Sequence, residues 1–102
     1  MPIAPRQFGV HRTAGGTLVV VAQSDLLDDV ATRVVIPLVE KGRSGRGLRS
    51  LNPVIEFAGS SLMLMPQQLA TVSVRELSDE IGSAAFARDE ITRAVDALLS
   101  GV

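Results

Sequence analysis

The chain has 102 residues, with ten lysines and arginines against eleven acids, for a net charge of −1. That length supports one domain burying roughly two-thirds of the surface its unfolded chain exposes. The balanced charge excludes broad electrostatic binding of nucleic acid, which needs a basic face, and the lack of cysteine excludes disulfides, thiol chemistry and Cys-ligated metal.

Residues 1–6 carry two prolines and no apolar signal region, so they read as an extension of a domain over residues 7–102, with the cytoplasm as the expected compartment. Gln7 to Arg12 is a first strand, and Ala14-Gly15-Gly16 supplies the φ-permissive residues of a hairpin turn. Thr17 to Ala22 is an almost wholly apolar, β-branched run, as expected of a strand buried on both faces. Its apolar stretch of about five residues is far too short for a membrane span. Ser24 to Asp28 breaks the pattern with short side chains that bond nearby backbone. Thr32 to Val39 resumes the strand, and Pro37, lacking an N–H, is expected at an edge or bulge.

Residues 40–50 contain three glycines and four basic side chains, the composition of a solvated loop. Pro53 to Phe57 and Ser61 to Met65 form strands around a turn at Ala58-Gly59-Ser60, and Leu69 to Val74 adds a short strand. Gly82-Ser83 separates this β part from a C-terminal helix starting near Ser83 or Ala84, with Ser83 as its cap. Asp89 and Glu90 suit the start of a helix, and Asp89 and Arg93 stand at ion-pair spacing. Ile91, Ala94, Val95, Leu98 and Leu99 trace one stripe to bury. The helix runs into Ser100-Gly101-Val102, so the chain end is a defined surface and a candidate contact site. With 3% aromatic residues and neither Trp nor Tyr, the core is aliphatic. The mean hydropathy of +0.30 suits either such a core or apolar surface covered by a partner.

Catalytic signals are weak. His11 lacks an identifiable nucleophile and orienting acid nearby in sequence and reads as a surface residue at a strand end. Asp25, Asp28 and Asp29 lack the spacing of a calcium loop, so neither a metal nor a cofactor is expected. Gly42 to Gly47 lacks the lysine and hydroxyl that complete a P-loop. It is either a plain solvated loop or a place where Arg43 and Arg46 dock carboxylates of a disordered acidic partner.

Gln23-Ser24-Asp25-Leu26-Leu27-Asp28, Arg33-Val34-Val35-Ile36-Pro37-Leu38, Pro53-Val54-Ile55, Met63-Leu64-Met65 and a helix closing on Gly101-Val102 together resemble the CcdB family. These are toxins of type II toxin–antitoxin modules. The resemblance implies an α+β, mostly β, SH3-like CcdB/Kid fold: a five-stranded antiparallel sheet, a small accessory sheet and a C-terminal helix, assembled as a homodimer. It implies a binding activity rather than catalysis. The toxin poisons DNA gyrase through its A subunit, a CcdA-like antitoxin neutralises it, and the pair represses its own operon, touching operator DNA only as that complex. By position, the gyrase-facing residues are Leu26, Leu27, Asp96, Ser100, Gly101 and Val102, unless Leu26 and Leu27 tuck under the sheet.

Ser100 stands where family poisons of gyrase carry the Trp of a terminal Trp-Gly-Ile, and Asp96 replaces an uncharged amide. An aromatic there can stack on arginine, and a loss of about 2 kcal/mol is roughly thirtyfold in affinity. One alternative is therefore a non-toxic, antitoxin-binding member of the family. Another is a MazF/Kid-like endoribonuclease, with Arg33, Arg43, Arg46 and Thr71 as candidates for phosphate-charge stabilisation and proton transfer.

Overall fold

The computed structural model describes residues 4–41 and 51–101. β1 (Gly9–Arg12) and β2 (Leu18–Val21) form the first hairpin, with Val10 opposite Val20. Its turn is the expected glycine-rich one: Gly16 has φ +89°, and Thr13 N–H donates to Thr17 O at 2.9 Å. β1 begins later than expected because residues 6–9 first make a turn. Gly9 N–H donates to Arg6 O at 3.0 Å and Phe8 takes φ +67°, a conformation no strand can contain.

The remaining strands are β3 (Thr32–Glu40), β4 (Val54–Phe57), β5 (Ser60–Leu64), β6 (Ala70–Ser73) and β7 (Gly82–Ser83). All pairings are antiparallel, and β3 belongs to two sheets. The larger has five strands in the order β7-β1-β2-β3-β6, and the smaller runs β4-β5-β3. This is the sheet and accessory sheet that the resemblance implies.

Pro37 sits in the interior strand β3 rather than at an edge or bulge. It is tolerated because β3 changes neighbours there. Pairing with β6 ends at Val35, pairing with β5 starts at Leu38, and Pro37 O accepts from Met65 N–H at 2.9 Å. The missing N–H therefore falls at the handover, where a ladder bond is already interrupted. The β4–β5 turn has φ +51° at Ala58 and +82° at Gly59, the two positive values of a two-residue hairpin that matches strand twist. Strand β7 was not apparent from the sequence. A Cβ on Gly82 would lie 2.7 Å from Phe57 Cζ, so glycine admits that ring.

The main core joins Val10, Val20, Ile36 and Leu38 to Ile55, Leu62 and Leu64, with Ala84, Ala87, Ile91 and Ala94 covering them. Val19, Val21 and Val35 cluster on the opposite face with Val72 and Leu77. The β2 valines are thus buried from both sides, as their unbroken apolar run requires. Aliphatic residues interdigitate closely enough that few aromatics are needed.

The helix α1 (Arg88–Ser100) begins several residues after the expected start. Ser83 caps no helix: its Oγ accepts from Ala85 N–H at 3.1 Å at the entrance to a 3-10 turn at Ala85–Ala87 whose N-cap is Ala84. Arg93 Nε donates to Asp89 O at 3.3 Å, a backbone contact in place of the expected ion pair. Ile91 and Ala94 are buried, Val95 and Leu98 half-buried, and Leu99 is 75% exposed. Leu99 thus leaves the expected stripe. Among the described residues, no helix is long and apolar enough to cross a membrane.

Candidate functional site

The acidic turn is braced both by its own bonds and by side chains outside it. Ser24 Oγ accepts from Leu26 N–H at 3.1 Å and caps a 3-10 turn at Asp25–Leu27. Asp28 N–H and Val30 N–H continue the winding onto Asp25 O and Leu27 O at 3.2 and 3.1 Å. Asp25 does not bond nearby backbone as expected; its Oδ1 accepts from the distant Gln7 N–H at 2.7 Å. Gln23 works from the inside. Its amide N–H groups reach Leu27 O and Thr32 O at 3.3 and 3.2 Å, and its Oε1 accepts from Val34 N–H at 3.1 Å.

On this frame Leu26 is 91% and Leu27 51% exposed, and Val30 beside them is exposed too. Neither leucine tucks under the sheet. Full burial of such a side chain is worth about 1.5–3 kcal/mol, so a rigid turn that leaves leucine in water holds that free energy available for a partner. Asp28 and Asp29 are exposed around them. Among the described residues no three His, Cys, Asp or Glu side chains group as metal ligands.

The helix end is a second, separately built surface. Asp96 is exposed, and Ser100 Oγ donates to its carbonyl oxygen at 2.7 Å. Gly101 closes the helix in the left-handed region, φ +72°, with its N–H on Ala97 O at 3.0 Å, an αL cap that satisfies a terminal carbonyl. Val102 lies outside the described residues, as do Arg43 and Arg46. Leu99 was missed as a surface residue. A signal was available: at 3.6 residues per turn it stands about 80° from Ile91, at the margin of the stripe. Among the described residues no hydrogen bond or ion pair joins the turn to the helix end.

Of the residues considered for RNA cleavage, Arg33 and Thr71 lie among the described ones, and these two do not converge. Arg33 is 2% exposed, and its guanidinium donates to main-chain carbonyls. The register pairs Val34 with Thr71 and Arg33 with Val72, which puts Arg33 and Thr71 on opposite faces of the sheet. His11 is not a surface residue. It is 3% exposed, with Nδ1 on Ser78 O at 2.8 Å and no hydrogen-bond partner on Nε2. Since a carbonyl only accepts, Nδ1 carries the proton. Nearby, Arg6 Nε and Nη2 donate to Glu80 at 2.9 and 2.8 Å. That hydrogen bond, with the Arg6 charge behind it, holds the Glu80 carboxyl below the usual carboxylate range against partial burial.

An open cavity of about 670 Å³ lies at the other end of the sheet, with Leu18, Leu38, Phe57, Leu62 and Ile81 in its walls and Arg12 and Glu40 among its polar groups. It brings together residues from five strands, β1 to β5, and the segment before β7, so no local pattern announced it.

Three solved structures share this fold. An endoribonuclease in complex with its cognate antitoxin, from Mycobacterial species, is 17% identical, with 94% of this chain and 95% of that chain covered and a TM-score of 0.79. An endoribonuclease from Mycobacterial species is 16% identical, with 97% and 94% covered and a TM-score of 0.76. MazE-MazF from Deinococcus radiodurans is 10% identical, with 98% and 100% covered and a TM-score of 0.75. At such identities the likeness establishes the fold alone. The family described as CcdB protein matches residues 7–101, a span holding the acidic turn, both sheets and the capped helix. This chain belongs to the CcdB family.

Proposed function

We propose that this protein is the toxin of a type II toxin–antitoxin module and acts as a homodimer by binding the A subunit of DNA gyrase. The observation that carries the reading is the pair Leu26 and Leu27, held outward on a braced turn where the family faces its target. Exposed aliphatic anchors on a preorganised backbone suit an interface, because little ordering remains to be done on association. Asp96, Ser100, Gly101 and Val102 supply the second half of the contact. Family membership further supports neutralisation by a CcdA-like antitoxin, with operator DNA reached through that complex. Arg43 and Arg46 are proposed to meet the antitoxin's carboxylates.

The test is a gyrase cleavage assay on the purified protein beside Ser100→Trp. Stabilised cleavage complexes with the native protein mean that the leucines suffice without an aromatic. Cleavage with Ser100→Trp alone means an intact scaffold that binds antitoxin without poisoning gyrase. Silence from both overturns gyrase as the target.

A second reading is supported by the likeness to endoribonucleases, namely cleavage of single-stranded RNA. The burial of Arg33 and the opposite facing of Thr71 leave that chemistry to residues other than those two. RNA that stays intact on incubation with the protein removes this reading.

A further inference from the structure

The Arg33 guanidinium is the least expected feature of the fold. It is 2% exposed and donates through Nε to Pro5 O at 2.9 Å, through Nη1 to Val30 O and Thr32 O, and through Nη2 to Asp28 O at 3.0 Å. Each acceptor is a main-chain carbonyl. An arginine that serves only to neutralise an acid is found against a carboxylate; this one is used as a planar, multi-armed donor. Three of its acceptors belong to the chain returning from the acidic turn to β3, and the fourth to the N-terminal segment.

From these contacts we infer that Arg33, together with the Pro5 carbonyl, is a positioning element that sets the Leu26–Leu27 turn in one outward-facing geometry. Pro5 precedes the segment the family matches, so this chain recruits its own N-terminal extension to the task. Gln7 reinforces the junction, its N–H on Asp25 Oδ1 and its side-chain amide on Ala22 O at 3.1 Å. The physical reason lies in what the carbonyls would otherwise do. The Asp28, Val30 and Thr32 carbonyls converge on a guanidinium that is itself 2% exposed, Thr32 O being shared with the Gln23 amide, and an acceptor turned toward that buried group is costly to leave unpaired. The guanidinium satisfies them together and, in doing so, dictates their relative orientation. Lysine at 33 would keep the charge but not the fork, since an ammonium is a compact point donor. The consequence for function rests on the target-binding reading above: a turn held in one conformation presents its leucines without a further ordering cost.

The experiment compares the full chain with Arg33→Lys, with a version lacking residues 1–5, and with Leu26→Ala. Amide hydrogen exchange is followed at residues 26–31 and at Val20 and Ile36, and affinity for a purified gyrase A subunit is measured. In Arg33→Lys and in the truncated chain, exchange at 26–31 is expected to rise by about tenfold or more while Val20 and Ile36 keep their protection, and affinity to fall by about tenfold. Leu26→Ala is expected to lose affinity with exchange unchanged. Exchange at 26–31 that rises no more than at Val20 and Ile36 overturns the inference, because Arg33 would then be ordinary scaffold. A turn that loosens with no loss of affinity overturns it as well. Failure of the native protein to bind the A subunit removes the target assignment, and the exchange comparison still decides whether Arg33 holds the turn.

Discussion

The acidic turn and the end of α1 both hold a leucine in water, Leu26 at 91% and Leu99 at 75% exposed, but different forces place them there. The turn is wound by its own bonds but tied down by residues remote in sequence: Gln7 reaches Asp25, and Arg33 joins Pro5 O to the carbonyls of Asp28, Val30 and Thr32. The helix end is held by itself, through Ser100 on Asp96 O and Gly101 on Ala97 O. A tertiary brace can define an irregular surface that local propensity would leave loose. A locally capped helix presents whatever side chains its period brings round. The difference teaches that the two halves of the candidate surface have separate vulnerabilities. The last helical turn is closed by its own bonds, whereas loss of a donor outside the acidic turn is expected to reach that turn's leucines.

The sharpest break in that comparison comes from the helix itself. Ile91 is 1% exposed and Leu99 is 75% exposed, so Ile91→Ala is expected to destabilise by about 2–5 kcal/mol. Leu99→Ala should remain within about 0.5 kcal/mol of the native protein. Urea unfolding of the two variants reads both values, and equal losses would contradict the packing described. On the turn, replacing Leu26 and Leu27 together by Ala is expected to weaken target binding by about thirtyfold. Thermal stability should hardly move, because neither side chain contributes to the core; calorimetric titration and a melting curve check the two halves. Gly101→Ala forces a Cβ into φ +72° and is expected to cost about 1 kcal/mol, visible as fraying of the last helical turn in amide exchange.

The smallest effect concerns pH. Arg6 holds the folded Glu80 carboxyl below its ordinary value of 4.5. The pair's contribution is therefore present above that value and is lost as pH falls through the lower, folded one. With the Arg6 side chain 61% exposed, solvent screens the pair, and the expected change is slight. Acid unfolding curves for the native protein and Glu80→Gln should converge at low pH and separate toward neutrality. Curves that stay parallel throughout would remove the pair as a contributor.

Most elements were legible because their signals are local. The β-branched run at Val19 to Val21, the glycines of two hairpins and the apolar period of α1 each encode their own conformation. The acidic turn was legible as a break and, through the family resemblance, as a contact surface; the exposure of its leucines was not. Sequence misjudged His11 and Arg33 for one reason. Burial of a polar side chain depends on which distant backbone comes to cover it, and Ser78 and Pro5 lie 67 and 28 residues away.

By itself, then, the sequence determined a small cysteine-free β domain with an aliphatic core, its hairpin turns and a glycine-capped helix, since each follows from dihedral preference or short-range period. Only the tertiary structure decided that Pro37 could sit inside a central strand, that Leu99 turned away from the core, and that Arg33 became the keystone of the turn. Those outcomes depend on which strand lies alongside, how far the helix rotates on the sheet and which carbonyls are left without water, all of which come from contacts between residues far apart in the chain.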